Sequence, residues 1–300
     1  MRLHRLLAST AILLCASSLP AQSTAALTQD PSPDKAAPAA MQSFQLPSHG
    51  ALLNALAYIA PGPGPHPAVV LLHGFPGNER NLDLAQSLRR DGYDVLYFDY
   101  RGSWGSPGAF SFTHAIEDAQ SAVAYLRDPA NAARLHSDPK SILLIGHSMG
   151  GMIAANVAAL DPDLRAVVLI SAANMAGRVL PAVKAGQQQA ALPRIAHGLA
   201  AEGMAPLAGC TPESLARELL DHAAQWNLPD LAPALATRPI LVITSDDGLA
   251  DANNALVEAL RKAGDQHVAS LHFATDHSYS DHRIALQQAV LDNLDHLQPK

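Results

Sequence analysis

Residues 142–151 read Ile142-Leu143-Leu144-Ile145-Gly146-His147-Ser148-Met149-Gly150-Gly151. Four apolar residues, a small-residue turn around a serine and the apolar run 149–160 spell strand, sharp turn and helix. As a bare string, G-x-S-x-G carries little weight in a chain with 19 glycines; the strand before it and the helix after it give it meaning. A serine on such a turn needs small neighbours because the backbone approaches other segments closely. The turn lifts Oγ clear of the sheet edge, and the first amides of the helix favour negative charge developing beside it. Ser148 is therefore the candidate nucleophile. His147 is read as a spacer directed away from the Oγ.

Outward from this turn, residues 68–72, 95–98, 166–170, 240–244 and 268–273 are short apolar strands. Helical patterns at 82–90, 112–126, 253–262 and 282–297 fall between or after them. Fully apolar strands alternating with helices specify an α/β fold, a mostly parallel twisted sheet covered by helices on both faces. Ahead of them, strands at 43–46 and 52–59 are broken by Pro47-Ser48-His49-Gly50 and form an antiparallel pair feeding the sheet. Residues 175–237 break the alternation, a connection long enough to be a functional insertion. They are expected to form a helical cap, with helices at 192–199, where Pro193 suits the first turn, and at 214–224. Its apolar residues either pack on the sheet or line an apolar pocket. Arg178, Lys184 and Arg194 either face solvent or bind a carboxylate.

The strand ending at Leu72 runs into His73-Gly74-Phe75-Pro76-Gly77. Acyl transfer needs two backbone amides aimed at the oxyanion. Met149, directly after the serine, supplies one, and Phe75 on this loop the other. His73 props the loop. The last strand leads to His277-Ser278-Tyr279 and on to His282, which falls where the last helix begins with Asp281 able to cap it. His277 and His282 are the candidates for the general base. The acid belongs at the end of strand 240–244. Asp247 is favoured because Gly248 permits a sharp turn behind it; Asp246 and Asp251 are the alternatives.

These residues, together with Asp99-Tyr100-Arg101-Gly102-Ser103-Trp104-Gly105-Ser106, resemble the α/β-hydrolase superfamily over residues 44–300. The Tyr-Arg-Gly-Ser segment is similar to that of the prolyl-oligopeptidase-like and serine-aminopeptidase-like branches and of many esterases. In that family the base is a histidine followed by a small residue and an aromatic, which His277-Ser278-Tyr279 fits, so His277 is the candidate general base and His282 the rival. The resemblance implies a serine hydrolase with the triad Ser148, Asp247 and His277, and with neither metal nor organic cofactor. An ester is the first substrate expected and a peptide or amide the second; acyl transfer to another acceptor and a ligand-binding receptor on the same fold are further alternatives.

Composition bounds the rest. A 48% hydrophobic and 16% charged chain of 300 residues can bury a large core. A net charge of −7, no Lys/Arg run and 5% aromatic residues argue against nucleic-acid binding. Arg2 and Arg5 precede the uncharged stretch 6–19, too short to span a bilayer comfortably and ending before Pro20-Ala21. Residues 1–21 are read as a signal peptide, so the mature protein is exported, periplasmic or secreted, without stable membrane insertion. Cleavage would also remove Cys15 and leave Cys210 without an intramolecular partner. Residues 22–43, with prolines at 31, 33 and 38, are read as a flexible tether. The expected partner is a small-molecule ester or amide; no oligomeric state follows from the sequence.

Overall fold

The computed structural model describes residues 22–295. In chain order the elements are helix α1 (Gln22–Thr28), strands β1 (Ala40–Ser48), β2 (Ala51–Ile59) and β3 (His66–Leu72), α2 (Leu82–Arg90), β4 (Asp94–Phe98), α3 (Phe112–Arg127), α4 (Pro129–Leu135), β5 (Ser137–His147), α5 (Met149–Leu160) and β6 (Ala166–Ile170). There follow α6 (Met175–Lys184), α7 (Gln188–Ala201), α8 (Pro212–Asp221), a 3₁₀ turn at Leu228–Leu231, α9 (Ala232–Leu235), β7 (Ile240–Ser245), α10 (Ala250–Lys262), β8 (Ala269–Phe273) and α11 (Arg283–Asp295). The eight strands form one sheet in the order β1-β2-β4-β3-β5-β6-β7-β8. β1 pairs antiparallel with β2, and β2 antiparallel with β4; every other pairing is parallel.

The period of two along each strand builds two cores. Val70, Leu72, Leu144, Leu169 and Val242 face α3, α5 and α10. Val69, Leu71, Leu143, Ile145, Val168 and Ile243 face α2 and α11. α5 carries no charged residue and is buried all round apart from its last turn, because it lies against the sheet, α3 and α9 together. Its strand, β5, sits in the middle of the sheet, so the serine turn is held between strands on both sides.

Residues 22–43 are not one tether. Gln22–Thr28 is helical, Ala26 is buried on the face shared with α2 and α11, and the Ala26 carbonyl accepts from Arg90 Nε. Ala25, Ala26 and Leu27 give this short segment an apolar face that a polar overall composition conceals. The first strand also begins earlier, at Ala40. The signal peptide expected at 1–21 lies outside the described residues, among which no helix is long and apolar enough to cross a membrane.

Between β6 and β7, helices α6, α7 and α8 lie over the carboxyl ends of the strands, while α9 packs against α5 and α10. Helix α7 starts at Gln188, so Pro193 falls inside it rather than in its first turn. The cap is fastened at three places. Glu218 of α8 accepts from the amides of Phe112 (2.9 Å) and Thr113 (2.7 Å) and from the Thr113 hydroxyl (2.6 Å), closing the amino end of α3. Asn174 and Asn227 bond each other at 2.9 Å at its base. The loop 99–106 clasps its middle: Ala208 N donates to Gly102 O at 2.7 Å and Trp104 N to Pro206 O at 3.0 Å.

Candidate active site

Ser148 stands between β5 and α5 with φ 57° and ψ −121°, a backbone conformation that non-glycine residues rarely adopt. Hydrogen bonds on both sides pin it: Ser148 N donates to Ile170 O and Ala173 N donates to Ser148 O, each at 2.9 Å. The glycines are sterically required. A Cβ on Gly146 would lie 2.1 Å from Gly150 O, and one on Gly150 would lie 2.1 Å from Leu72 O. Gly74 shows how close the neighbouring loop passes, because a Cβ there would sit 3.0 Å from Ser148 Cβ.

That loop is tied down by aromatic residues. Tyr100 Oη donates to His73 O at 3.1 Å and Trp104 Nε1 to Pro76 O at 2.8 Å, while the Arg80 guanidinium lies 4.4 Å from the Trp104 ring. His73 Nδ1 bonds Gly74 O at 2.8 Å; burial holds this imidazole down at about 4, so it stays neutral and donates from Nδ1. The Phe75 and Met149 amides make no hydrogen bond within the protein among the described residues, which leaves both free for a ligand.

At the ends of the last two strands, His277 Nδ1 lies 2.7 Å from Asp247 Oδ2. The Asp247 side chain is 3% exposed. Burial alone would raise its pKa, but bonds from His277, the Leu249 amide and the Ser171 and Ser245 hydroxyls hold it well below the usual carboxylate range. Asp246 is directed elsewhere: it is exposed and bonds His272 Nε2 at 3.1 Å. Asp251 sits in the first turn of α10. His282 bonds Asp281 at 2.8 Å beside the start of α11.

Two contributors were not legible as such. His147 is buried, its Nε2–H donates to the His277 carbonyl at 2.9 Å, and its ring lies 4.7 Å from the His277 ring. The side-chain alternation that removes it from the serine turns it toward the histidine loop. Tyr279, fully buried with φ 56°, joins Ser171 at 2.9 Å, and Ser171 joins Ser245 at 3.0 Å, a hydroxyl chain behind Asp247. Its only signal was an aromatic residue two positions after His277.

Ser148, His277 and Asp247 share one cavity of about 490 Å³, with Phe75 and Met149 in the same wall and α6, α7 and α8 forming the opposite one. That wall contains Met175, Val179, Ile195, Leu199 and Leu219, joined by Arg178, Arg194 and Glu202.

An open, mostly parallel sheet with a serine on a strained strand-to-helix turn and a capped cavity above its strand ends is the architecture of a class of hydrolases. The chain belongs to the α/β-hydrolase fold family, whose sequence model matches residues 67–224. An uncharacterised Mycobacterium tuberculosis protein is 33% identical over 106 residues, covering 35% of this chain and 36% of that protein. A protein of Pseudomonas savastanoi pv. phaseolicola described as a putative carbamate hydrolase is 33% identical over 109 residues, covering 35% and 39%. The matches therefore span well under two thirds of these relatives. Among solved structures, EstE1, a thermophilic carboxylesterase cloned from a metagenomic library, is similar at 25% identity with a TM-score of 0.64, covering 92% of this chain and 93% of its own.

Proposed function

We propose that the protein is a carboxylic-ester hydrolase working through an acyl-enzyme. The carrying observation is the His277–Asp247 pair at 2.7 Å on the wall of the cavity that Ser148 also lines. In this reading Ser148 Oγ attacks the ester carbonyl while His277 Nε2 takes its proton. The tetrahedral oxyanion is held by the Phe75 and Met149 amides. Collapse breaks the ester C–O bond as His277 returns the proton to the leaving alcohol. Water, deprotonated by His277, then releases the acid and regenerates Ser148. Asp247 fixes the Nδ1–H tautomer and stabilises the imidazolium. The similarity to EstE1 and the apolar wall of the cavity support an ester over a peptide.

A fluorophosphonate probe should label Ser148, and p-nitrophenyl esters should be cleaved well ahead of aminoacyl anilides. Ser148→Ala should lower ester turnover by at least about a thousandfold with an unchanged circular dichroism spectrum. A variant within tenfold of the parent would sink the mechanism. We also propose export with removal of residues 1–21, on the charged start and uncharged stretch of the sequence. The intact mass of protein recovered outside the cytoplasm tests this, and a mass that includes Met1 refutes it.

A further inference from the structure

The cap wall of the cavity carries two features that the ester-hydrolase reading leaves unused. The first is a pair of cations. Arg178 on α6 and Arg194 on α7 both line the cavity, and neither makes a side-chain hydrogen bond or ion pair among the described residues. Arg101, Arg127 and Arg283 are instead bound to carboxylates at 2.7 Å or less. Both are exposed to solvent at one side and share the cavity wall with Met175, Val179, Ile195 and Leu199. Two carboxylates also border the cavity. Asp247 is committed to His277, and Glu202 forms no ion pair with either arginine among the described residues.

The second feature is Gly198. It sits inside α7, where glycine is destabilising by about 1 kcal/mol relative to alanine. Neither turn nor packing demands it, since a Cβ there would meet nothing within 4 Å. It faces the cavity one helical turn after Arg194 and one before Glu202, so its missing side chain widens the cavity beside the cation.

Taking the ester-hydrolase reading as given, we infer that the cavity accepts an ester bearing a carboxylate at the far end of an aliphatic chain. The ester carbonyl would meet Ser148, the chain would cross the apolar wall over Gly198, and the carboxylate would be bound by the guanidinium groups of Arg178 and Arg194. An aliphatic chain suits the apolar lining, and a guanidinium presents donors in the planar geometry that a carboxylate matches. The carboxylate could be carried on either the acyl or the alcohol side, so both are tested.

On the acyl side, p-nitrophenyl hexanoate is compared with the p-nitrophenyl half-ester of adipic acid. On the alcohol side, pentyl acetate is compared with 5-acetoxypentanoate, followed by acid release. At low salt, at least one pair should favour its anionic member in kcat/KM by about tenfold, the scale of one charge-assisted contact. Raising ionic strength should shrink that ratio. In the Arg178→Gln/Arg194→Gln double variant, the ratio should fall to near one, the loss appearing mainly in KM. Gly198→Leu should depress the six-carbon esters relative to p-nitrophenyl acetate. Cleavage of the neutral esters with no preference in either pair, or a preference that survives in the double variant, overturns this inference and leaves the hydrolase reading standing. Absence of cleavage of any ester, with no fluorophosphonate labelling of Ser148, overturns the hydrolase reading itself.

Discussion

Two adjacent aspartates are told apart here by a single turn. Asp247 is buried against His277 and bonded by the Leu249 amide at 2.8 Å, whereas Asp246 is exposed beside His272. Asp247→Asn should therefore lower turnover by about a thousandfold, because the amide stabilises the wrong imidazole tautomer. Asp246→Asn should stay within about threefold, the level of a surface contact. Steady-state kinetics of both on one activated ester decides; a crippled Asp246→Asn would mean that the strand end is used out of register. His147 bears on His277 at one remove, by donating to its carbonyl and packing a tilted ring beside its own. His147→Phe keeps a ring but loses the donor, and should lower kcat about tenfold with little change in KM. His147→Gln, which can still donate, should recover part of it. A kcat equal to that of the parent in His147→Phe would show that the contact positions nothing. In the sequence, Ser148 and His277 stand out as candidates through strand, turn and helix patterns, and Gly248 puts Asp247 ahead of its neighbours. The sequence could not reveal His147 or Ser171, because their roles depend on which strand ends become neighbours across the sheet.

Among the elements, the central strands were readable because each is a short run of apolar residues buried on both faces, and α2 was bounded by its own amphipathic pattern. Elements whose stability comes from a partner were harder. Helix α1 has one buried alanine and no capping signal, and α4 follows directly on α3, separated from it only by Asp128, which caps α4 through the Ala130 and Asn131 amides at 3.0 Å. The Asp128-Pro129 start of α4 is a legible signal in retrospect. Segment 99–106 matched a family pattern in the sequence; in three dimensions it is the clasp that joins the cap to the sheet. Glu218 makes the second such joint. Since it satisfies two amide donors and one hydroxyl at the amino end of α3, Glu218→Ala should lower stability by about 1–2 kcal/mol. Glu218→Gln, which retains acceptor oxygen but no charge, should lose less. Urea unfolding of the two variants checks this, and equal midpoints for Glu218→Ala and the parent would mean that α3 is capped in some other way.

For the molecule as a whole, two buried neutral histidines set the response to acid. His73 and His147 are both held down at about 4, chiefly by burial, against about 6.5 for an unfolded chain. Between those values the unfolded chain binds protons that the folded one refuses, so stability falls as pH falls through the window and is level above it. The loss should reach about 2–3 kcal/mol per histidine near pH 4.5, with Asp247, whose carboxylate is depressed, adding to it only at still lower pH. Urea midpoints at pH 7.5 and 4.5 test this, and His147→Gln should lose less between them; a midpoint independent of pH would contradict the burial of both rings. Acid is one route to opening the fold, and loss of a distant helix pairing is another. Helix α1 leans on α11, and both cover the sheet face formed by residues such as Leu71, Ile145 and Val168. The two helices stand at opposite ends of the described residues. Until α11 docks, that face stays bare and α1 lacks its main seat, so a folding chain is most prone to aggregation before the two helices have met. A premature stop near residue 283 would remove one helix from the sequence and two from the fold.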